Sequence, residues 1–336
     1  MTKKGVLIGT GYFSQFHIEA WQRIPEVNIT AVCNRGIEKA KVFAQEWNVA
    51  NYYSDFIDCL DSEKPDFVDI ATPPDSHLMM VEEAAKRGIA IICQKPLAPT
   101  LEDSKRIVEI VTKYNVPFMV HENFRFQPWH REIKKILSQE ILGKDIYSIY
   151  WRMRMGDGWQ KDAYIARQPY FREYPQLLIY ETGIHLIDTV RFLIGKDVTG
   201  VTSRLYKRNK DIKGEDAGVV LLDFENDTHV VLDMSRYNEI EAGNARYTFA
   251  EILSIDCSNG TIRLFADGKI TIQVLGEAPT VHNYVHQEKG FAGDCLYECQ
   301  KHFITELLGN KQFETNGEDY LKNLEIQNQI YSTNTR

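Results

Sequence analysis

The sequence is short of several things that whole classes of protein depend on. Basic residues are the minority charge, 39 Lys and Arg against 47 Asp and Glu for a formal net charge of −8. A net anion lacks the phosphate-neutralising surface that duplex binding requires, so no nucleic-acid partner is expected. Long apolar runs are missing as well. Stretches such as 89–93 and 219–222 fall far below the roughly 18 to 20 residues needed to cross a bilayer, so no membrane partner is expected either. Cysteine is sparse: Cys33, Cys59, Cys93, Cys257, Cys295 and Cys299 include no CxxC pair. A chain of this size needs no disulfide staples, and reduced thiols in the cytoplasm are the plain expectation. Cys295 and Cys299 would share a helical face, but no second cysteine pair accompanies them and no metal site is expected. Lys3 and Lys4 precede only a brief apolar stretch broken by glycines and then Glu19, so export is not expected.

What remains is an ordinary globular balance, 43% hydrophobic and 26% charged over 336 residues. At roughly 150 residues per domain, two domains are expected. Up to residue 123 short β-rich runs alternate with helical periodicity, the pattern of βαβ units and a doubly wound parallel sheet. The predicted strands are 6–8, 29–32, 67–70, 90–93 and 118–120; the predicted helices are 14–24, 37–47, 76–86 and 101–113. The strands are mostly apolar, as expected where helices cover both faces. From residue 124 to 336 the texture differs. A helix at 128–137 and an alternating strand at 146–153 lead into an aromatic, Arg-rich stretch at 155–176 with little periodicity, and loops of that length are usually functional. Between 198 and 274, turn signals at 225–227, 258–260 and 266–268 imply a mostly antiparallel sheet with hairpins. Helices at 291–308 and 318–331 close an α+β domain.

Residues 9–14 read GTGYFS, directly after the first strand and at the head of a helix. Gly9 permits a tight turn, and Gly11 lets main-chain N–H groups approach a pyrophosphate in the positive field of the helix N-terminus, beside Tyr12 and Phe13. Ser14 stands where a third glycine is common. The acidic residue expected after the second strand, on the adenosine ribose, is replaced by Asn34-Arg35. Asn34 can bond a hydroxyl, and Arg35 can meet a 2′-phosphate or stay a solvated helix-start residue. NAD and NADP both stay open. Lys95, after the strand ending at Cys93, stands at the carboxyl edge of the sheet, where open α/β folds bind ligands. An amine there can donate a proton to a carbonyl or polarise it.

Five motifs follow in order: GTGYFS; Ala71-Thr72-Pro73-Pro74 with His77; Gln94-Lys95-Pro96; Asn123-Phe124-Arg125-Phe126 with Pro128; and Glu181-Thr182-Gly183-Ile184-His185 with Asp188. This series resembles the glucose-fructose oxidoreductase, inositol dehydrogenase and rhizopine catabolism (Gfo/Idh/MocA) family over essentially the whole chain. The resemblance implies a Rossmann domain over 1–123 and a substrate-binding and oligomerisation domain over 124–336, whose last helices may return to the first. It carries the family's catalytic lysine onto Lys95, with a cis bond before Pro96, and departs from the family's Glu-Lys-Pro at Gln94. It also sets Thr72, Pro73, His77 and Asn123 beside the cofactor.

Glu181, His185 and Asp188 are spaced i, i+4 and i+7, one stripe of a helix. On spacing alone His185 fits either a base oriented by carboxylates or a packed helix histidine beside Leu186, Ile187, Val190 and Leu193. The resemblance favours the base. Arg125, Arg154, Trp159, Tyr164 and Arg167 offer donors and stacking faces suited to a hydroxylated substrate. The expected activity is NAD(P)-dependent transfer of hydride to or from a sugar, polyol or related cyclic alcohol, with Lys95 and His185 meeting one alcohol carbon, in a homodimer or homotetramer. Within the family, Gln94-Lys95-Pro96, His121-Glu122-Asn123 and the segment 166–171 resemble aldose oxidisers of the D-apiose dehydrogenase type. A non-catalytic dinucleotide-binding regulator and a redox-cycling, glycosidase-like enzyme are the alternatives.

Overall fold

The computed structural model describes residues 2–241 and 243–334. Six strands form a wholly parallel sheet: β1 (Lys3–Ile8), β2 (Val27–Cys33), β3 (Asn51–Tyr53), β4 (Phe67–Ile70), β5 (Ala90–Gln94) and β6 (Phe118–His121). Their order is β3-β2-β1-β4-β5-β6, the doubly wound arrangement that leaves a crevice where the winding reverses between β1 and β4. β4 and β5 are buried at every residue, which is why they show no polar-apolar alternation and are apolar but for Asp69 and Gln94. The connecting helices are α1 (Ser14–Gln22), α2 (Ile37–Glu46), α3 (Phe56–Glu63), α4 (His77–Lys86) and α5 (Leu101–Tyr114). Thr100 caps α5 by accepting the Asp103 N–H at 3.0 Å, and left-handed Asn115 ends it.

The sequence reading lacks β3 and α3. β3 is a three-residue edge strand with mostly exposed side chains, so it carries no burial pattern to detect. α3 does bury Phe56, Cys59, Leu60 and Glu63, but over only eight residues.

The chain divides into two compact units. The first runs to Asn123 and resumes over 296–322; the second covers 124–295 and the chain from Asn323. The 123/124 boundary and the return of a closing helix to the first unit are both in the sequence reading; the segment that returns is 296–322. The physical reason is that α9 (Cys295–Gly309) sets Phe303 against Phe67, with ring centroids 5.5 Å apart, and that Asn316 bridges to Met119 on β6.

In the second unit eight strands order as β14-β13-β12-β11-β7-β10-β9-β8. They are β7 (Ile146–Arg154), β8 (Val198–Tyr206), β9 (Ala217–Phe224), β10 (His229–Ser235), β11 (Ile252–Cys257), β12 (Gly260–Phe265), β13 (Ile270–Val274) and β14 (Thr280–His282). The three turn signals lie at hairpins β9–β10, β11–β12 and β12–β13. One pairing departs from the antiparallel pattern: β10 runs parallel to β7. On β7, Ile149, Trp151 and Met153 are buried. Also in this unit are α6 (Pro128–Ser138), α7 (Ile184–Ile194), the short α8 (Ala245–Thr248) and the later turns of α10 (Gly317–Thr333). Ala163, Tyr164, Phe171, Leu177 and Ile212 give the 155–176 stretch a small core of its own.

Candidate active site

Register alone assembles the first part of the site. Ile8 pairs with Cys33 and Ile70, Ile70 with Cys93, and Gln94 with His121. Gly9, Asn34, Thr72, Lys95 and Asn123, each one to two residues past its strand, therefore line one carboxyl edge. At Gly9 the backbone has φ +107°, and a Cβ would lie 2.3 Å from the Ala71 carbonyl oxygen, so only glycine fits between the two turns. A Cβ on Gly11 would meet nothing within 4 Å. Phe13, at the N-cap of α1, supplies no side-chain cap, and the Ser14 hydroxyl accepts the Gly11 N–H at 3.2 Å. Open space over an exposed glycine at an uncapped helix start fits a dinucleotide pyrophosphate.

The Asn34 amide donates to Thr10 Oγ1 at 2.7 Å and accepts the Gly36 N–H at 2.9 Å, tying the two turns that would face the adenosine. Arg35 is exposed beside it. Tyr12 is exposed, whereas Phe13 turns half inward, its ring 5.6 Å from that of His17.

His77 opens α4. Expected beside the cofactor, it is fully buried, with Nε2 2.8 Å from the Thr72 carbonyl and Nδ1 3.0 Å from that of Leu97. Burial pushes its imidazole below the usual range. Neutral, the ring carries one N–H and donates it to one of these two carbonyls, between the Thr72-Pro73 turn and the loop after Lys95. The Lys95–Pro96 bond is cis. Lys95 is half-buried, and its N–H donates to Gln94 Oε1 at 2.6 Å.

In the second unit the segment Leu178–Gly183 is a π-helix running into α7. The half-buried Glu215 carboxylate anchors it by accepting the Leu177 and Ile179 N–H groups at 3.2 Å and the Tyr331 hydroxyl at 2.7 Å. Burial raises the Glu215 carboxyl above its ordinary value. The expected single α-helical stripe is thus corrected, because Glu181 lies in the wider turn and only His185 and Asp188 share the α register. His185 is buried, and its ring stacks on Phe124 at 3.9 Å and 4°.

Asp188 is fully buried and accepts Arg125 Nε at 2.8 Å, Arg125 Nη2 at 2.6 Å and Asn323 Nδ2 at 2.7 Å. Two residues expected in different roles, substrate contact and base orientation, form one buried ion pair. Arg236, absent from the sequence reading, is the centre of a second network. It donates to Asp157 at 2.7 and 3.2 Å, Glu181 at 3.1 Å, Thr182 at 2.7 Å and the Tyr164 hydroxyl at 3.1 Å. Burial opposes its charge, but Asp157, Tyr164 and Glu181 hold the guanidinium protonated. Burial pushes the Tyr164 hydroxyl up to about 12.

Arg167 reaches the same Asp157 at 3.5 Å. Arg154 pairs with Asp233 at 2.8 Å, and the half-exposed Trp159 donates to Glu239 at 3.0 Å. A Ser-Arg at the end of a strand was the one local signal for Arg236; its acidic partner lies 79 residues away. Among the described residues no group of three or more His, Cys, Asp or Glu could hold a metal, and no helix is long and apolar enough to cross a membrane.

Comparison with known proteins matches residues 3–122 to the model of an oxidoreductase family with an NAD-binding Rossmann fold, and residues 130–263 to the GFO/IDH/MocA C-terminal domain. A D-apiose dehydrogenase of Paraburkholderia graminis is 33% identical over 335 residues, covering 98% of this chain and 86% of the relative. Another, from Rhizobium rhizogenes, is 30% identical over 336 residues, covering 98% and 94%. A crystal structure of an oxidoreductase from Agrobacterium radiobacter in complex with NAD+, L-tartaric acid and magnesium aligns with TM-score 0.89 at 29% identity, covering 99% of this chain and 96% of that one. With both halves matched and two relatives aligned over nearly all of its length, the chain belongs to the Gfo/Idh/MocA family of NAD-binding oxidoreductases.

Proposed function

We propose that this enzyme oxidises a CH–OH group of a small sugar or polyol, an aldose of the D-apiose class, with NAD or NADP. The observation that carries the reading is the single carboxyl edge on which the open turn at Gly11 and the half-buried Lys95 both stand. The two D-apiose dehydrogenases similar over 98% of the chain support the aldose class. Gly9, Gly11, Asn34, Thr72 and Asn123 would hold the dinucleotide, which when bound supplies the hydride acceptor.

The chain's own task is the hydroxyl proton. Lys95 hydrogen-bonds the reacting oxygen, and His185 takes the proton as base. Stacking on Phe124 restrains the His185 ring, and the Arg236 network holds Glu181 on the turn before it. Arg154, Trp159, Tyr164 and Arg167 remain the substrate-side candidates. Six free, buried cysteines support a cytoplasmic, reducing location. Exposed Tyr150, Val219 and Tyr206 on the second sheet support a homodimer or homotetramer, which light scattering reads directly.

The test is steady-state nucleotide reduction against a panel of aldoses and polyols. Lys95→Ala is expected to lower kcat at least ~100-fold while cofactor affinity stays within a few fold. Silence of the wild type across the panel, with nucleotide binding intact, would overturn the reading in favour of a non-catalytic binder.

A further inference from the structure

Beneath the carboxyl edge of the first unit lies a polar chain that the sequence reading does not contain. Asp69, at full burial on β4, accepts the Trp21 indole N–H at 2.6 Å and faces His17 Nδ1 at 2.8 Å. His17 Nε2 lies 3.0 Å from Gln94 Nε2, and Gln94 Oε1 accepts the main-chain N–H of Lys95. Hydrogen-bond directions follow from the residue types. The Lys95 N–H can only donate, so the amide oxygen of Gln94 must face it. The amide NH₂ then points at His17, whose Nε2 must accept, which leaves the imidazole proton on Nδ1 to be given to Asp69.

The hydrogen bonds run in one consistent direction, carboxylate, imidazole, amide, lysine N–H, through Asp69 Oδ2, while Asp69 Oδ1 is buried without a hydrogen-bond partner. Burial pulls the Asp69 carboxyl up, but the His17 imidazole, His121 and the Trp21 indole hold it below the ordinary carboxylate range. Gln300 Nε2 on α9 donates to the His17 carbonyl at 3.3 Å, and the His121 ring lies 4.3 Å from that of His17, tilted by 33°.

We infer that Asp69, His17 and Gln94 form a buried positioning relay that sets the backbone of Lys95, and that position 94 carries an amide, where the family motif has Glu, because the relay is complete with an uncharged donor there. The inference rests on the reading of Lys95 as a catalytic residue. A carboxylate at position 94 would face the lone pair of His17 Nε2, so the relay would close only with one additional proton, held on that carboxyl or on the imidazole. The other titratable groups around it are Asp69 on β4, Cys93 and Lys95 with β5, and His121 and Glu122 at the end of β6; none of these changes in the substitution.

The test measures kcat and KM across pH, nucleotide affinity by fluorescence and thermal stability for the wild type, Gln94→Glu, Gln94→Met and Lys95→Ala. Gln94→Glu is expected to approach wild-type kcat at low pH and to lose at least ~10-fold as pH rises through one ionisation absent from the wild type, with KM and nucleotide affinity within a few fold. Gln94→Met, which fills the space without hydrogen bonds, is expected to lose ~10-fold or more in kcat at every pH. A Gln94→Glu profile parallel to wild type, or a Gln94→Met kcat within threefold of it, overturns the relay; if Lys95→Ala is then inactive, the role of Lys95 stands. Full activity of Lys95→Ala overturns both. Should neither position-94 variant fold, nitrogen NMR of His17 in the wild type decides: the Nδ1–H tautomer supports the relay and the Nε2–H tautomer overturns it.

Discussion

The two units build their functional groups from different materials. On the first unit's edge the main chain does most of the shaping: a glycine at φ +107°, an open glycine beyond it, and the carbonyls of Thr72 and Leu97 on either side of the His77 ring. In the second unit, long side chains from distant segments meet as ion pairs, Arg125 with Asp188 and Arg236 with Asp157 and Glu181. A backbone site tolerates change wherever a side chain points outward and fails where the chain itself is crowded. A buried ionic site fails when either partner is removed, because the other is left charged and unpaired.

The largest effect expected from this contrast is on the ionic side. Asp188→Ala strands the buried Arg125 guanidinium and is expected to cost about 3–5 kcal/mol in denaturant unfolding; a loss below about 1 kcal/mol would show that the pair is not the strut described. On the backbone side the two glycines should separate. Gly9→Ala drives a Cβ into the Ala71 carbonyl at a positive φ and is expected to cost about 3 kcal/mol. Gly11→Ala, which meets nothing within 4 Å, should leave stability within about 0.5 kcal/mol while weakening nucleotide binding ~10-fold or more. Equal stability losses at the two positions would break the argument.

His130 tests the second unit by pH. Its Nδ1 faces the Phe124 carbonyl at 2.8 Å under the ring that stacks on His185, and burial depresses its imidazole to about 4. Since the unfolded chain takes up this proton first, stability is full above about pH 6.5 and is lost as pH falls toward 4, by about 3 kcal/mol in total. His130→Phe should flatten that limb in acid unfolding curves, and an unchanged limb would assign it elsewhere. The smallest effect is at Arg35, exposed where the ribose carboxylate is missing. Arg35→Ala is expected to weaken NADP roughly 10-fold more than NAD by fluorescence titration; equal effects would remove any reading of the 2′-phosphate by this side chain.

Legibility in the sequence follows the same division. GTGYFS, the Thr72-Pro73 turn and Lys95 were readable because each is local: a strand end, a turn residue and a helix start adjacent in the chain, and parallel register then brings them to one edge. Three hairpin turns were readable for the same reason. The parallel pairing of β10 with β7 was not, since nothing in either strand encodes its neighbour's direction. Nor was the π-helix, held by Glu215 from another segment; assuming α spacing through Glu181 was reasonable locally and wrong because a distant carboxylate pulls on Leu177 and Ile179.

By itself the sequence determined the doubly wound unit, the dinucleotide turn and the family, because alternating periodicity and glycine conformation are properties of consecutive residues. Only the tertiary structure decided which charges meet: that Arg125 neutralises Asp188, that Arg236 holds Glu181, that His77 binds main chain and that Gln94 completes a line from Asp69 to Lys95. The side-chain pairings among these join residues from 52 to 77 positions apart. A buried polar group is satisfied by whichever partner the fold brings within about 3 Å, and sequence spacing says nothing about that distance.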